Sequence, residues 1–104
     1  MIDQTQHIND LLDAYEPLLT DKQKVIMDYY YKEDLSLAEI AEELAVSRSA
    51  INDHIKRSTQ ILEEYEKKLN LVANYRTRSQ IYAKMKAIGH QDYEALIEQL
   101  ENIE

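Results

Sequence analysis

The stretch SLAEIAEELAVSRSAINDHIKRS, residues 36–58, decides the fold. Ser36 and Glu39 form an S-x-x-E capping box that opens a short helix. Leu37, Ile40, Ala41 and Leu44 give that helix an apolar face. A three-residue break follows, and Ser47 is a good N-cap for a second helix carrying Ile51 and Ile55. Two capped helices separated by so short a break make the helix-turn-helix pattern. Ala41 is small where the helices must cross closely, Val46 anchors the turn, and Ile40, Leu44, Ile51 and Ile55 fill the wedge. Ala45 stands where glycine normally supplies positive φ, at a cost of about 1 kcal/mol. The second helix projects Ser47, Arg48, Ser49 and Asn52 outward, polar side chains of the kind a recognition helix offers to a groove or to phosphates.

On either side the chain reads as helix. Ile8, Leu11, Leu12 and Tyr15 predict an amphipathic helix over about residues 3–16, ended by Pro17. Thr20 and Gln23 form a second capping box, opening a helix through Val25, Ile26, Tyr29 and Tyr30. Tyr29 and Tyr30 fit its core face, and Tyr31 is expected to be the most exposed of the three. Beyond Ile55, the apolar positions continue through Ser58, Leu62, Tyr65, Leu69 and Val72 at alternating three- and four-residue steps. The first helices are expected to cover Ile51 and Ile55; beyond Leu62 a partner is needed, either the 71–88 helix folding back or a second copy. Asn70 suits a left-handed position. A further pattern runs through Val72, Tyr75, Tyr82 and Met85 to Gly89, and a last helix places Tyr93, Leu96, Ile97, Leu100 and Ile103 on one face. The expected architecture is all-α: one domain over 1–104, with a helix-turn-helix core at 17–70 and a C-terminal helical extension at 71–104. A homodimer through the C-terminal helices is expected from these apolar stripes.

Composition narrows the function. One glycine and one proline in 104 residues argue against an all-β fold, whose turns need both. With no cysteine, a disulfide scaffold and the usual structural zinc sites are excluded. No apolar run exceeds three residues, so no membrane span or secretory signal is expected and the chain reads as cytoplasmic. The net charge of −8 is unevenly spread. Residues 47–60 net +2 through Arg48, Lys56 and Arg57 against Asp53, and residues 71–88 net +4 through Arg76, Arg78, Lys84 and Lys86. Two basic islands in an acidic chain suit specific anionic contacts better than general attraction to polyanions. The expected nucleic-acid-binding residues are Ser47, Arg48, Ser49, Asn52, Lys56 and Arg57, with the 71–88 cations as a secondary island.

No catalytic constellation is visible. His7, His54 and His90 have no i, i+4 pairing, so no metal site is expected. Asp13 with Glu16, and Glu63 with Glu64 and Glu66, read as solvated charge without a companion nucleophile. Gly89 is the only glycine, which leaves no phosphate-cradling loop. No cofactor is expected, and the chain reads as a binding protein, not an enzyme.

Residues 18–71, LLTDKQKVIMDYYYKEDLSLAEIAEELAVSRSAINDHIKRSTQILEEYEKKLNL, resemble the YlxM family of small bacterial helix-turn-helix proteins. The tyrosine cluster, both capping boxes and the EEYEKKL tail carry the resemblance together, over roughly residues 10–88. The same segment is similar to region four of bacterial sigma factors. Genes of the family typically neighbour that of the signal-recognition-particle GTPase. The resemblance therefore implies a regulatory protein of that pathway, with DNA or signal-recognition-particle RNA and the GTPase as partners. Two other readings remain open: a DNA-binding transcriptional regulator, and a protein-interaction module without nucleic-acid contact.

Overall fold

In a computed structural model, the backbone is described for residues 2–103 and the side chains for residues 4–103. The ends of the expected 1–104 domain, Met1 and Glu104, lie outside the described residues. The chain forms two compact units, Met1–Leu69 and Asn70–Glu104. The first contains α1 (Ile2–Tyr15), a 3-10 turn (Glu16–Leu18), α2 (Asp21–Tyr31), α3 (Leu37–Leu44) and α4 (Arg48–Leu69). The second contains α5 (Leu71–Ala87) and α6 (Gln91–Ile103). Among the described residues there is no strand, and no helix is long and apolar enough to cross a membrane.

Local chemistry sets the helix ends. The Gln23 N–H donates to Thr20 Oγ1 at 3.2 Å, and the Thr20 N–H donates to Gln23 Oε1 at 2.9 Å. The Ser36 and Glu39 pair closes the same box, both bonds at 3.1 Å. These bonds favour the ionised form of Glu39, holding its carboxyl below the usual carboxylate range. At the other end of α3, Ala45 is left-handed, with φ 56° and ψ 44°. Its N–H donates to Glu42 O at 3.3 Å, and the Val46 N–H donates to Ala41 O at 3.0 Å. That pairing satisfies carbonyls the helix would otherwise leave open, in a Schellman arrangement. Asp34 (φ 58°) turns the chain after α2, a left-handed position the sequence reading does not include; the Leu35 N–H closes back on Tyr29 O at 2.9 Å.

The first unit packs α1, α2 and α3 against α4. Its core joins Ile8, Leu11, Leu12, Tyr15, Leu19, Ile26, Met27, Ile40, Ala41, Ile51, Ile55 and Leu62, with Ser58 fully buried among them. Within this unit, the helix that accompanies α4 past Leu62 is α1. Tyr15, with no exposed surface, stacks on Tyr65 at 5.9 Å and donates its hydroxyl to Glu66 Oε1 at 2.6 Å. One turn earlier on α4, Glu63 Oε1 accepts from His7 Nε2 at 2.9 Å. Leu69 remains exposed. Tyr31 is half-buried like Tyr29 and Tyr30, not the exposed member of the three. It meets Tyr30 edge to face and interacts with Thr59, and burial raises its phenol pKa.

In the second unit, Gly89 turns the chain between α5 and α6 with φ 78°. Lys86 Nζ reaches Glu101 Oε1 at 2.7 Å, which requires α6 to fold back along α5. Of the stripes expected on these helices, Val72, Tyr82 and Ile97 are buried, whereas Tyr75, Met85, Tyr93, Leu96, Leu100 and Ile103 are exposed.

Candidate nucleic-acid interface

The left-handed turn at Ala45 delivers the chain to Ser47, whose Oγ accepts the Ala50 N–H at 3.1 Å and starts α4. The same hydroxyl lies 3.3 Å from Ser49 Oγ. From this start, two parallel i, i+4 ridges run along the exposed side of α4: Arg48, Asn52 and Lys56, and beside them Ser49, Asp53 and Arg57. All six are exposed, as is Ser47. The expected contact residues of this helix therefore come together on neighbouring ridges of one surface.

The ridges differ electrostatically. Arg57 Nη2 pairs with Asp53 Oδ2 at 2.9 Å, so the second ridge neutralises itself. The acid-before-base spacing of Asp53 and Arg57 was the available sequence signal for this pair. Among the described residues, Arg48 and Lys56 hold no ion pair, which leaves them as the net positive charge of the surface. Between them the helix rises about 12 Å, comparable to the width of the major groove of B-DNA. The preceding helix is acidic: Glu39, Glu42 and Glu43 are exposed and α3 carries no base.

The second island is differently arranged. Arg76, Arg78, Lys84 and Lys86 are all exposed on α5, but at about 100° per residue they spread around its whole circumference. Lys86 is engaged by Glu101. No face of α5 collects the four.

Elsewhere in the first unit, Lys32 Nζ sits 3.5 Å from Glu16, 3.7 Å from Asp13 and 3.8 Å from Asp28. Burial raises the Asp28 carboxyl above its ordinary 3.8, and a hydrogen bond with Glu16 and repulsion from it push the same way. His54 is half-buried, and His90 lies against the ring of Tyr93 at 5.0 Å. Among the described residues, no three His, Cys, Asp or Glu side chains group as metal ligands would.

A short capped helix, a left-handed turn and a long second helix with an exposed polar ridge define a helix-turn-helix protein. The chain belongs to the family described as "Putative helix-turn-helix protein, YlxM / p13 like", whose model matches residues 2–103. A UPF0122 protein of Halalkalibacterium halodurans is 47% identical over 109 residues, covering 100% of both chains. A UPF0122 protein of Shouchella clausii is 49% identical over 86 residues, 83% of this chain and 79% of its own. One from Bacillus cereus strain AH187 is 49% identical over 88 residues, 85% of this chain and 80% of its own.

Proposed function

We propose that the chain is a non-enzymatic regulatory protein of the signal recognition particle pathway, working in the cytoplasm and gripping nucleic acid through α4. The observation that carries the binding is the ridge of Arg48, Asn52 and Lys56, whose two cations hold no ion pair among the described residues. Its length suits a B-form major groove, whereas the major groove of A-form RNA is too narrow for side chains to read. Duplex DNA is therefore the favoured ligand, with Asn52 placed to meet a base edge and the cations to meet phosphates or guanine. The connection to the particle is supported by the family's resemblance and not by the geometry of the ridge.

A net charge of −8 and the carboxylates of α3 give little long-range attraction. Binding then depends on a few close contacts. Fluorescence anisotropy with labelled duplex and with particle RNA, across a salt series, tests this. Arg48→Ala with Lys56→Ala should abolish detectable duplex binding, or flatten the dependence of log K on log salt by about two units. Asp53→Asn should release Arg57 and steepen it by about one unit. A wild-type chain that binds neither ligand at low salt defeats the reading.

The acidic α3 surface favours a second reading, a protein-interaction module whose partner is basic, the GTPase being the one the family implies. A pull-down from extract with and without nuclease separates the two. A partner retained after nuclease treatment, from a chain that shows no duplex binding, supports the second.

A further inference from the structure

The second unit is too small to enclose a core. Its buried apolar side chains are Val72, Tyr82 and Ile97. Units below about 40 residues ordinarily need disulfides, a metal or association to be stable. This chain has no cysteine, and its described residues show no metal-ligand group.

What the unit does carry is an ordered apolar surface. Tyr93, Leu96, Leu100 and Ile103 of α6 follow steps of three, four and three, the spacing of a coiled-coil seam. At about 100° per residue they lie within about 80° of one another. Ile97 borders this strip, and Glu101 lies on the far side of Ile97. On α5, Ile81 and Met85, with Ile88 just beyond its end, form a second strip at steps of four and three, turned away from Lys86. The Lys86–Glu101 bridge marks one side of the helix pair, and both strips share the other. All seven side chains are between 36% and 82% exposed. Together they offer on the order of 700–800 Å² per copy, close to the ~800 Å² per partner of a standard interface.

Charge selects the occupant. At about 100° per residue, Arg78 and Lys84 border the α5 strip and Asp92 borders the α6 strip, whereas Lys86 and Glu101 pair with each other on the opposite side. We propose that this face joins two copies of the chain as a four-helix bundle, with α5 of one copy lying over α6 of the other. A two-fold axis parallel to the helices places each basic helix beside the acidic helix of its partner, twice, by the same contact. A like-on-like arrangement would set base against base and acid against acid. The inference is independent of nucleic-acid binding.

Sedimentation equilibrium of the full chain reads the association directly, with a dimer expected at micromolar concentration. Leu96→Glu with Leu100→Glu, both at exposed positions, should weaken the dimer at least 100-fold while circular dichroism retains the helical signal. A wild-type chain monomeric up to about 100 µM, a dissociation constant weaker than any stable dimer needs, overturns the proposal and leaves the face to a different protein. A variant as dimeric as wild type overturns it too. If the variant loses its helices, cysteine pairing decides. Because the chain has no native cysteine, oxidising a mixture of Met85→Cys and Leu96→Cys chains should yield a crosslinked dimer. Crosslinking by either variant alone as readily as by the mixture, or none by the mixture, refutes the α5-over-α6 arrangement.

Discussion

Ala45→Gly should stabilise the protein, and the size of the effect can be worked from the turn. Ala45 holds φ 56° and ψ 44°, a region that costs an L-residue with a Cβ about 1–2 kcal/mol. Its side chain is exposed, so removing the methyl group forfeits no core contact. Its N–H and that of Val46 keep their bonds to Glu42 O and Ala41 O, because the backbone is unchanged. Against the relieved strain stands the greater freedom glycine gives the unfolded chain, roughly 0.4–1 kcal/mol. The net gain is about 0.5–1 kcal/mol, or about 3–6 °C in Tm for a unit of this size. Urea and thermal unfolding followed by circular dichroism and tyrosine fluorescence measure it. Gly89→Ala is the mirror experiment in the second unit: φ is 78°, no atom lies within 4 Å of the added Cβ, and so only backbone strain should destabilise it. Loss of stability in Ala45→Gly would refute the left-handed turn and with it the register of α3 on α4.

Three further outcomes are expected. Ser58 has no exposed surface and its Oγ has no hydrogen-bond partner among the described residues, so Ser58→Ala should raise stability by about 1 kcal/mol in urea unfolding. Tyr15→Phe should lower it by about 1–2 kcal/mol through loss of the bond to Glu66, and Tyr15→Ala by about 3–5 kcal/mol because the packed ring goes as well. Asp28 has a folded pKa above its ordinary 3.8, so the folded state binds its proton more tightly and stability falls as pH rises through that window. Asp28→Asn should therefore stabilise the protein at neutral pH, with the gain disappearing below the carboxylate range; an equal gain at pH 3 and pH 7 would contradict the linkage.

The helix ends were legible because their causes are local. Thr20 with Gln23, Ser36 with Glu39, Ser47, and the left-handed Ala45 and Asn70 all follow from side-chain and backbone chemistry within a few residues. What lay beyond the sequence depends on which surfaces meet. The α4 spacing past Leu62 announces a partner without naming it, and the choice of α1 rests on Tyr15 reaching Tyr65 and Glu66, some fifty residues away. Periodicity also promised burial for Tyr93, Leu96, Leu100 and Ile103, but an apolar stripe records a preference, and the second unit has too little chain to satisfy it. The ridge residues could be placed on one helix face from their spacing. The ion pair that withdraws Arg57 from the positive surface has a local signal too, the i, i+4 spacing of Asp53 and Arg57.

The continuity of α4 carries a consequence for how such a chain tolerates insertion and deletion. One uninterrupted helix of 22 residues holds the polar ridge at one end and the attachment to α1 at the other. The two ends are thus locked in rotational phase, like marks on a single shaft. Adding one residue between Lys56 and Leu62 would turn the ridge by about 100° relative to the anchored half, and adding four would turn it by only about 40°. Seven would come within about 20° of the original phase, lengthening the shaft by about 10 Å. Length variants that keep an aimed ridge should therefore come in steps of seven within this helix. The connection between α2 and α3 carries no such constraint of phase.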